Sequence, residues 1–427
     1  MIEPLYGERY NRGINNAFIQ EYKLRTVRIK AKKGGRSFLH RDEFYEREVE
    51  DGLQGRTPGE WVKVVEGKED PKGQTPFLVG VVNPLVQQGP CIRTLQSFPN
   101  DKAFKSFDPK QYLKYSIERA LKKRSYFKYF DKGCRILYGA VDGLPGVIAD
   151  EYINCVLLQI NTAGMDLYRD YIRENLQELR NKKVIFLDQE DYRKMEGLPL
   201  YEREEIPNIE VEESGIQYRI SKEIMQKIGH YYDHRINRLK LRNWMENYHG
   251  QLKKGVDLFC YSGSWGLNAL AASEDLEKVH FVDQGNLGDT LSENLKINGF
   301  EHRGEFSRRD VFDWLKEKAQ EKEKFDLVIS DPPAFSKSLK NKTKALGGYL
   351  KLHKAIAKIC KPGTLLAIGS CTHGVTLEEL DQTVNQAFWD TGMEIHLLDL
   401  GIQGPDHLMS SLSDRENYIK FLCYLVC

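Results

Sequence analysis

The C-terminal half of this chain predicts an α/β fold built on a doubly wound, mostly parallel sheet. The residues before it predict a small β-barrel-like module followed by an α+β unit. From Val256 onward, apolar runs of strand length alternate with helical stretches, the pattern of βα units. The last two runs have no clear helix between them, which argues an antiparallel edge. Upstream, short β-rich runs are punctuated by Gly/Pro clusters, as in a small all-β module. A chain of 427 residues is also too long for one core.

Residues 1–25 show no periodicity and read as a leader. Strands are expected at 26–30, 60–65, 77–82 and 91–95, with turns at Thr57-Pro58-Gly59, Asp70-Pro71-Lys72-Gly73, Asn83-Pro84 and Gly89-Pro90. Pro99-Asn100-Asp101 reads as a linker. A helix should start at Asp108-Pro109, the Asp as cap and the Pro at the first helical position, and run to about 123. Strands at 135–138, 146–149, 153–160 and 184–187 and a helix near 165–179 complete an α+β unit. A hairpin, 210–213 with 216–220, turns at Ser214-Gly215. The third unit has strands at 256–260, 279–282, 304–307, 325–330, 364–369, 393–398 and 418–426. Its helices are expected near 264–272, 288–297, 311–321, 345–360 and 377–389. The resulting partition is 26–98, 99–207 and 208–427.

Composition is that of an ordinary globular protein, 41% hydrophobic and 29% charged. No apolar run approaches the roughly 20 residues that cross a bilayer. The eight cysteines form no CxxC pair and no Cys/His ligand spacing, which fits a reduced, cytosolic chain without a structural metal. Net charge is only +1, but it is segregated: residues 23–47 hold nine Lys/Arg against three acids, and residues 102–135 eleven against three. Residues 337–361 carry eight lysines and no acid, whereas 196–213 has seven Glu and one Arg. A single charge run is usually a solvated helix face. Three basic runs, one beside a candidate active site, point to a polyanion such as RNA.

The stretch Val256–Gly266 reads as a buried strand, a glycine turn and a helix start. Asp283, 20 residues after Gly263 and at the end of the next apolar run, is placed to accept ribose hydroxyls. The glycine spacing does not fit the dinucleotide pattern, so an adenosyl cofactor such as S-adenosylmethionine is favoured, with Gly263 and Gly266 letting the backbone approach it. An ordinary turn with two glycines fits the same residues.

The fourth strand ends in Asp331-Pro332-Pro333-Ala334-Phe335, outside the carboxyl end of the strand, where ligands bind in an open α/β sheet. Two prolines stiffen that loop, and Phe335 suits a flat base. The fifth strand ends in Ser370-Cys371-Thr372-His373. As a thiolate, Cys371 suits attack on carbon 6 of a pyrimidine, activating carbon 5; a buried, inert cysteine is the alternative. His373 would orient this loop or be a surface residue. Asp310 and Val311, after the third strand, would lie near an adenine. The segment Lys227–Arg238 offers aromatics among basic residues, including Arg235 and Arg238. It is either an RNA-facing element or the amphipathic start of a helix.

These stretches resemble the class I S-adenosylmethionine-dependent 23S rRNA methyltransferases that make 5-methylcytosine. The matching residues are Lys227–Arg238, Asp257–Gly263 (with Phe259 and Ser262), Asp331–Phe335, Ser370-Cys371, Gln403–His407 and Asp142–Tyr152. The resemblance implies a PUA-like RNA-binding barrel, an α+β central domain and a Rossmann-like domain with a mixed seven-stranded sheet. It implies Cys371 as nucleophile, Asp283 on the ribose, and Asp257, Gly263, Asp310 and Asp331 around cofactor and base. It also implies Pro332, Pro333, Phe335, Arg235 and Arg238 on the RNA, with 23S rRNA or a large-subunit precursor as partner. A homodimer is compatible with the sequence. Gly369 stands where the family has a further cysteine, Thr372 where it has a serine, and His40-Arg41-Asp42-Glu43-Phe44 replaces the PUA-like signature. Two alternatives remain: a 7-methylguanine rRNA methyltransferase of the same fold, and a non-catalytic RNA-binding or ribosome-assembly protein.

Overall fold

The computed structural model describes residues 24–31, 43–101, 107–225, 229–336, 341–409 and 417–427. Nearly all of the expected leader lies outside them, as do His40–Asp42, Lys227 and Ile228.

The first unit is a five-stranded sheet of order β1-β3-β4-β5-β2. Its strands are β1 (Arg25–Ile29), β2 (Glu43–Phe44), β3 (Glu60–Glu66), β4 (Phe77–Val82) and β5 (Ile92–Phe98). Just past β2 the chain returns to β1, Lys30 N–H donating to Glu48 O (2.8 Å) and Glu50 N–H to Arg28 O (2.8 Å), so the sheet closes on itself. The pairing of β1 with β3 is parallel, and both it and the two-residue β2 escape a period-based reading.

The second unit carries β6 (Cys134–Tyr138), β7 (Val147–Glu151), β8 (Val156–Ile160) and β9 (Val184–Phe186), flanked by the helices Pro109–Arg124 and Arg169–Arg180. Asp108 caps the first helix as expected, accepting from Lys110 N–H (2.9 Å). The two units share one core, in which Trp61, Val79 and Val81 meet Phe107, Leu144 and Met165.

After the hairpin β10 (Ile209–Glu213) and β11 (Ile216–Ile220) comes a seven-stranded sheet of order β14-β13-β12-β15-β16-β18-β17. Its strands are β12 (Lys254–Leu258), β13 (Lys278–Asp283), β14 (Gly304–Arg308), β15 (Leu327–Ser330), β16 (Leu365–Ser370), β17 (Ile395–Gly401) and β18 (Lys420–Val426). Its helices are Ser264–Ala272, Gly288–Ile297, Val311–Gln320, Lys342–Ala357 and Leu377–Trp389. The expected antiparallel closing pair is present at one edge of the sheet, β17 with β18. The antiparallel strand is β18, and it lies inside the sheet between β16 and β17. Physically, β18 is mostly apolar and almost wholly buried, whereas β17 is open to solvent along most of its length, as an edge strand is. The strand order reverses between β12 and β15, which opens a crevice at their carboxyl ends.

Candidate active site

Between β12 and the helix Ser264–Ala272 the backbone makes an unusual turn. Phe259 (φ 62°), Tyr261 (φ 48°) and Gly263 (φ 81°) are all left-handed. For the Phe and Tyr that costs on the order of 1 kcal/mol each. Hydrogen bonds hold the strain: Phe259 N–H donates to Val282 O (2.8 Å), and Tyr261 N–H to the Asp283 carboxylate (3.2 Å). The glycines answer inward packing. A Cβ on Gly263 would lie 2.5 Å from Leu291 Cδ1, and one on Gly266 2.3 Å from the Phe281 ring. Their missing side chains therefore face the core, a packing reason for glycine at these two positions.

Buried polar atoms without partners line the crevice. Asp257 Oδ2 accepts from Gly266 N–H (2.8 Å), but its Oδ1 has no partner, nor have Ser262 Oγ and Ser330 Oγ. Burial, then the nearby Asp331 and Asp283 carboxylates, push the Asp257 carboxyl up to about 8, against the Gly266 hydrogen bond. Orphaned buried polar atoms are uncommon in native proteins, and these three, gathered around the carboxyl ends of two adjacent strands, leave hydrogen-bonding capacity that a ligand could take up. Asp283, partly exposed at the end of β13, also accepts from Gly285 N–H (2.8 Å). Asp310 is exposed but caps the next helix, accepting from Phe312 and Asp313 N–H, while Val311 is buried in the core.

Asp331 and Cys371 come together across the crevice. Asp331 Oδ2 accepts from the Trp265 indole N–H (3.0 Å), and its Oδ1 lies 3.5 Å from His234 Nε2. That separation is too long for a hydrogen bond and becomes an ion pair only when the imidazole is protonated. Gly369 makes the arrangement possible, because a Cβ there would sit 2.5 Å from Asp331 Oδ1. Where the resemblance expects a cysteine, the space is taken by this carboxylate. Cys371 Sγ lies 4.0 Å from Pro332 O, so Pro332 is a buried wall and only Pro333 is exposed. Burial, then Asp331 and Asp233, push the Cys371 thiol up to about 12, with Lys420 pulling the other way. Phe335 packs edge-on against Tyr349 (4.6 Å), whose hydroxyl bonds Ser370 Oγ (2.7 Å) and Thr372 Oγ1 (2.8 Å) and so fixes the cysteine loop. His373 is exposed and stacks on Tyr418 (5.3 Å).

Lys420 is a residue the sequence reading missed, hidden at the head of an apolar run. It is 5% exposed, and its ammonium donates to Thr372 O (2.6 Å) and Tyr418 O (3.0 Å), with no carboxylate paired to it among the described residues. Burial lowers it to about 8, although Cys371 and Glu379 oppose this. Trp265 and His234 were also missed, because each reaches Asp331 only through the fold.

Two expected RNA contacts are corrected. Arg235 and Arg238 are each 1% exposed and face inward. Arg238 forks onto Glu213 (Nε to Oε1 2.7 Å, Nη2 to Oε2 2.8 Å). Arg235 donates to Tyr129 O (2.7 Å) and Gly133 O (2.6 Å) and also reaches Glu213. They clamp the second unit and the hairpin to the third and cannot meet a phosphate. The Gln403–His407 stretch is a similar joint: Asp406 accepts from Arg135 N–H (3.0 Å), and its carbonyl from Arg124 (2.9 Å).

Strand order, the strained turn and the crevice define a class I methyltransferase, which uses S-adenosylmethionine. Known proteins narrow this. A family model described as "Conserved hypothetical protein 95" matches residues 235–368. Ribosomal RNA large subunit methyltransferase I of Shewanella amazonensis is 30% identical over 299 residues, 68% of this chain and 74% of that protein. Its counterpart from Yersinia pseudotuberculosis is 29% identical over 304 residues, 69% of this chain and 75% of that protein. The chain belongs to the ribosomal RNA large subunit methyltransferase I family. The same fold is seen in a crystal structure described as a methyltransferase complexed with S-adenosylhomocysteine (TM-score 0.71, 16% identity, 94% of this chain and 100% of that one). It is seen again in one described as an S-adenosylmethionine-dependent methyltransferase from Streptococcus mutans (TM-score 0.69, 16% identity, with the same coverage). No helix among the described residues is long and apolar enough to cross a membrane, and no cluster of His, Cys, Asp or Glu among them is arranged to hold a metal.

Proposed function

We propose that this methyltransferase acts on large-subunit ribosomal RNA and methylates carbon 5 of a cytosine through Cys371. The observation that carries the reading is a partly buried thiol beside Asp331 at the carboxyl ends of adjacent strands, next to a cradle of unpartnered polar atoms. The cradle fits S-adenosylmethionine. Asp257 Oδ1 and Ser262 Oγ are acceptors for its amino-acid end, Asp283 for its ribose, and Phe259, Gly263, Gly266, Asp310 and Val311 border the turn. When bound, it supplies an electrophilic methyl group.

The chain's own residues do the rest. As a thiolate, Cys371 bonds to carbon 6 of the cytosine, and the displaced π pair makes carbon 5 nucleophilic. After carbon 5 is methylated it loses its proton to a base, and the returning pair expels the thiolate and restores the ring. Asp331, held by Trp265, fixes one edge of the base, with Pro333 and Phe335 beside it. Lys420 is the cation poised to favour the thiolate. The closed N-terminal sheet serves as the PUA-like RNA-binding unit.

The test is incubation of wild type and Cys371→Ala with S-adenosylmethionine and unmodified large-subunit rRNA, followed by mapping of the product. 5-Methylcytosine that disappears in the variant is expected, a loss of at least about a thousandfold. Full activity without the thiol would remove the covalent mechanism, and 7-methylguanine as product would favour the alternative enzyme.

A further inference from the structure

Sequence around the helix Pro109–Arg124 places large rings and lysines where packing does not need them. One side of the helix buries Leu113, Ile117 and Ala120. The other side and the turn that follows leave Tyr115 59%, Tyr126 71% and Tyr129 55% exposed, with Phe127 beside them. Single exposed rings are ordinary, but four large exposed rings within residues 115–129 are not. The interleaved lysines are equally unengaged. Lys114, Lys122 and Lys128 are exposed and pair with no carboxylate among the described residues, whereas Lys123 and Arg124 turn inward to Asp142. Glu118 and Asp131 are the acids exposed on this stretch.

We propose that this face, Lys114, Tyr115, Lys122, Tyr126, Lys128 and Tyr129, is a stacking platform for single-stranded RNA flanking the target nucleotide. The inference rests on the RNA reading above and deepens it by naming the surface. Aromatic rings between cations are the chemistry of unpaired bases on a phosphate backbone; a duplex hides its base faces and offers such rings nothing to stack on. The platform is also rigidly tied to the active site. Arg235 holds the carbonyls of Tyr129 and Gly133, while the adjacent residue, His234, stands 3.5 Å from Asp331. Phe130 is buried under the same turn, with the Arg235 guanidinium 5.5 Å from its ring centre. The clamp thus joins the surface to the catalytic crevice through two consecutive residues, Arg235 and His234.

Fluorescence anisotropy of full-length protein with a labelled single-stranded RNA of about 12 nucleotides, and with the same strand in a duplex, tests this. Tyr126→Ala/Tyr129→Ala should weaken single-strand binding about tenfold or more, and duplex binding hardly at all. Lys114→Gln/Lys122→Gln/Lys128→Gln should flatten the slope of log affinity against log salt by about 2. Thermal melting and S-adenosylhomocysteine binding, unchanged in both variants, show that they fold. With rRNA as substrate, the ring variant should raise KM and leave kcat near wild type. Wild-type affinity and KM in both variants, beside an active wild-type enzyme, would overturn the platform and leave the RNA reading standing. A wild type that neither binds the single strand nor methylates rRNA would overturn both.

Discussion

Two buried polar regions lie within a few residues of each other and are built on opposite principles. In the clamp, Glu213 is enclosed by Arg238, Arg235 and His230, and only His230 Nδ1 is buried without a partner. In the crevice, Asp257 Oδ1, Ser262 Oγ, Ser330 Oγ, Asp233 Oδ1 and His234 Nε2 are all buried without a hydrogen-bond partner. Burial acts on both carboxylates and the outcome differs. At Glu213 burial is outweighed by Arg238 and His230, which hold it well below the usual carboxylate range. At Asp257 burial wins, and the group is pushed up to about 8. In the clamp the buried polar groups satisfy one another and make a joint, whereas in the crevice several are left to meet a ligand.

Breaking the clamp should have the largest effect. Glu213→Gln leaves buried guanidinium groups without their counter-charge, and stability should fall by about 3–5 kcal/mol, read by urea denaturation. The sign follows from the lowered pKa. The stabilisation is complete above the unfolded value near 4.5 and is lost as pH falls through the lower folded value. The wild-type advantage should therefore shrink only below about pH 4.5. A variant as stable as wild type at neutral pH would mean that the clamp is not a joint.

In the crevice the same kind of change should act in the opposite direction on stability. Because the folded pKa of Asp257 lies above its ordinary 3.8, ionisation favours the unfolded chain increasingly from about pH 4 to pH 8. Asp257→Asn keeps the acceptor for Gly266 N–H and removes that penalty. The melting temperature should rise, more at pH 8 than at pH 5. S-adenosylhomocysteine affinity, by calorimetry, should fall about 10- to 100-fold. A variant that loses stability at pH 8 would contradict the account of the cradle.

Legibility in the sequence followed the range of the interactions. The helices Ser264–Ala272, Gly288–Ile297 and Leu377–Trp389 match the expected spans, because apolar patterning and, at Thr376, a capping box are local. So is the turn from β12, which was found from its glycines, although the strain at Phe259 and Tyr261 leaves no compositional trace. Arg235 and Arg238 were misassigned because their partners stand far away in sequence, Glu213 across the hairpin and Tyr129 in another unit. Basic residues beside aromatics read as an RNA contact until burial shows them to be interior. Trp265 and Lys420 were invisible for the same reason. Gly369 read as a departure from a family pattern, whereas its missing side chain makes the room in which Asp331 sits.

The smallest predicted effect concerns charge at the cysteine. Cys371 is pushed up to about 12 by burial and then by Asp331 and Asp233, so at neutral pH the thiol is protonated and should react slowly with iodoacetamide. Without RNA there is no turnover, and the labelling rate of Cys371, followed by peptide mass spectrometry, reports its electrostatic surroundings alone. S-adenosylmethionine and S-adenosylhomocysteine differ by one methyl group and one positive charge. If the crevice places the sulfonium near Cys371, labelling should be about tenfold faster with the former, the effect of lowering the thiol by one unit. The extra methyl adds bulk and would by itself slow the reagent, so an acceleration reports charge rather than access. Lys420→Gln should slow labelling in both complexes, by removing the cation that already lowers this thiol. Equal rates with the two ligands would place Cys371 outside the field of the cofactor site, and the crevice would then differ from the clamp in its hydrogen bonds but not in its chemistry.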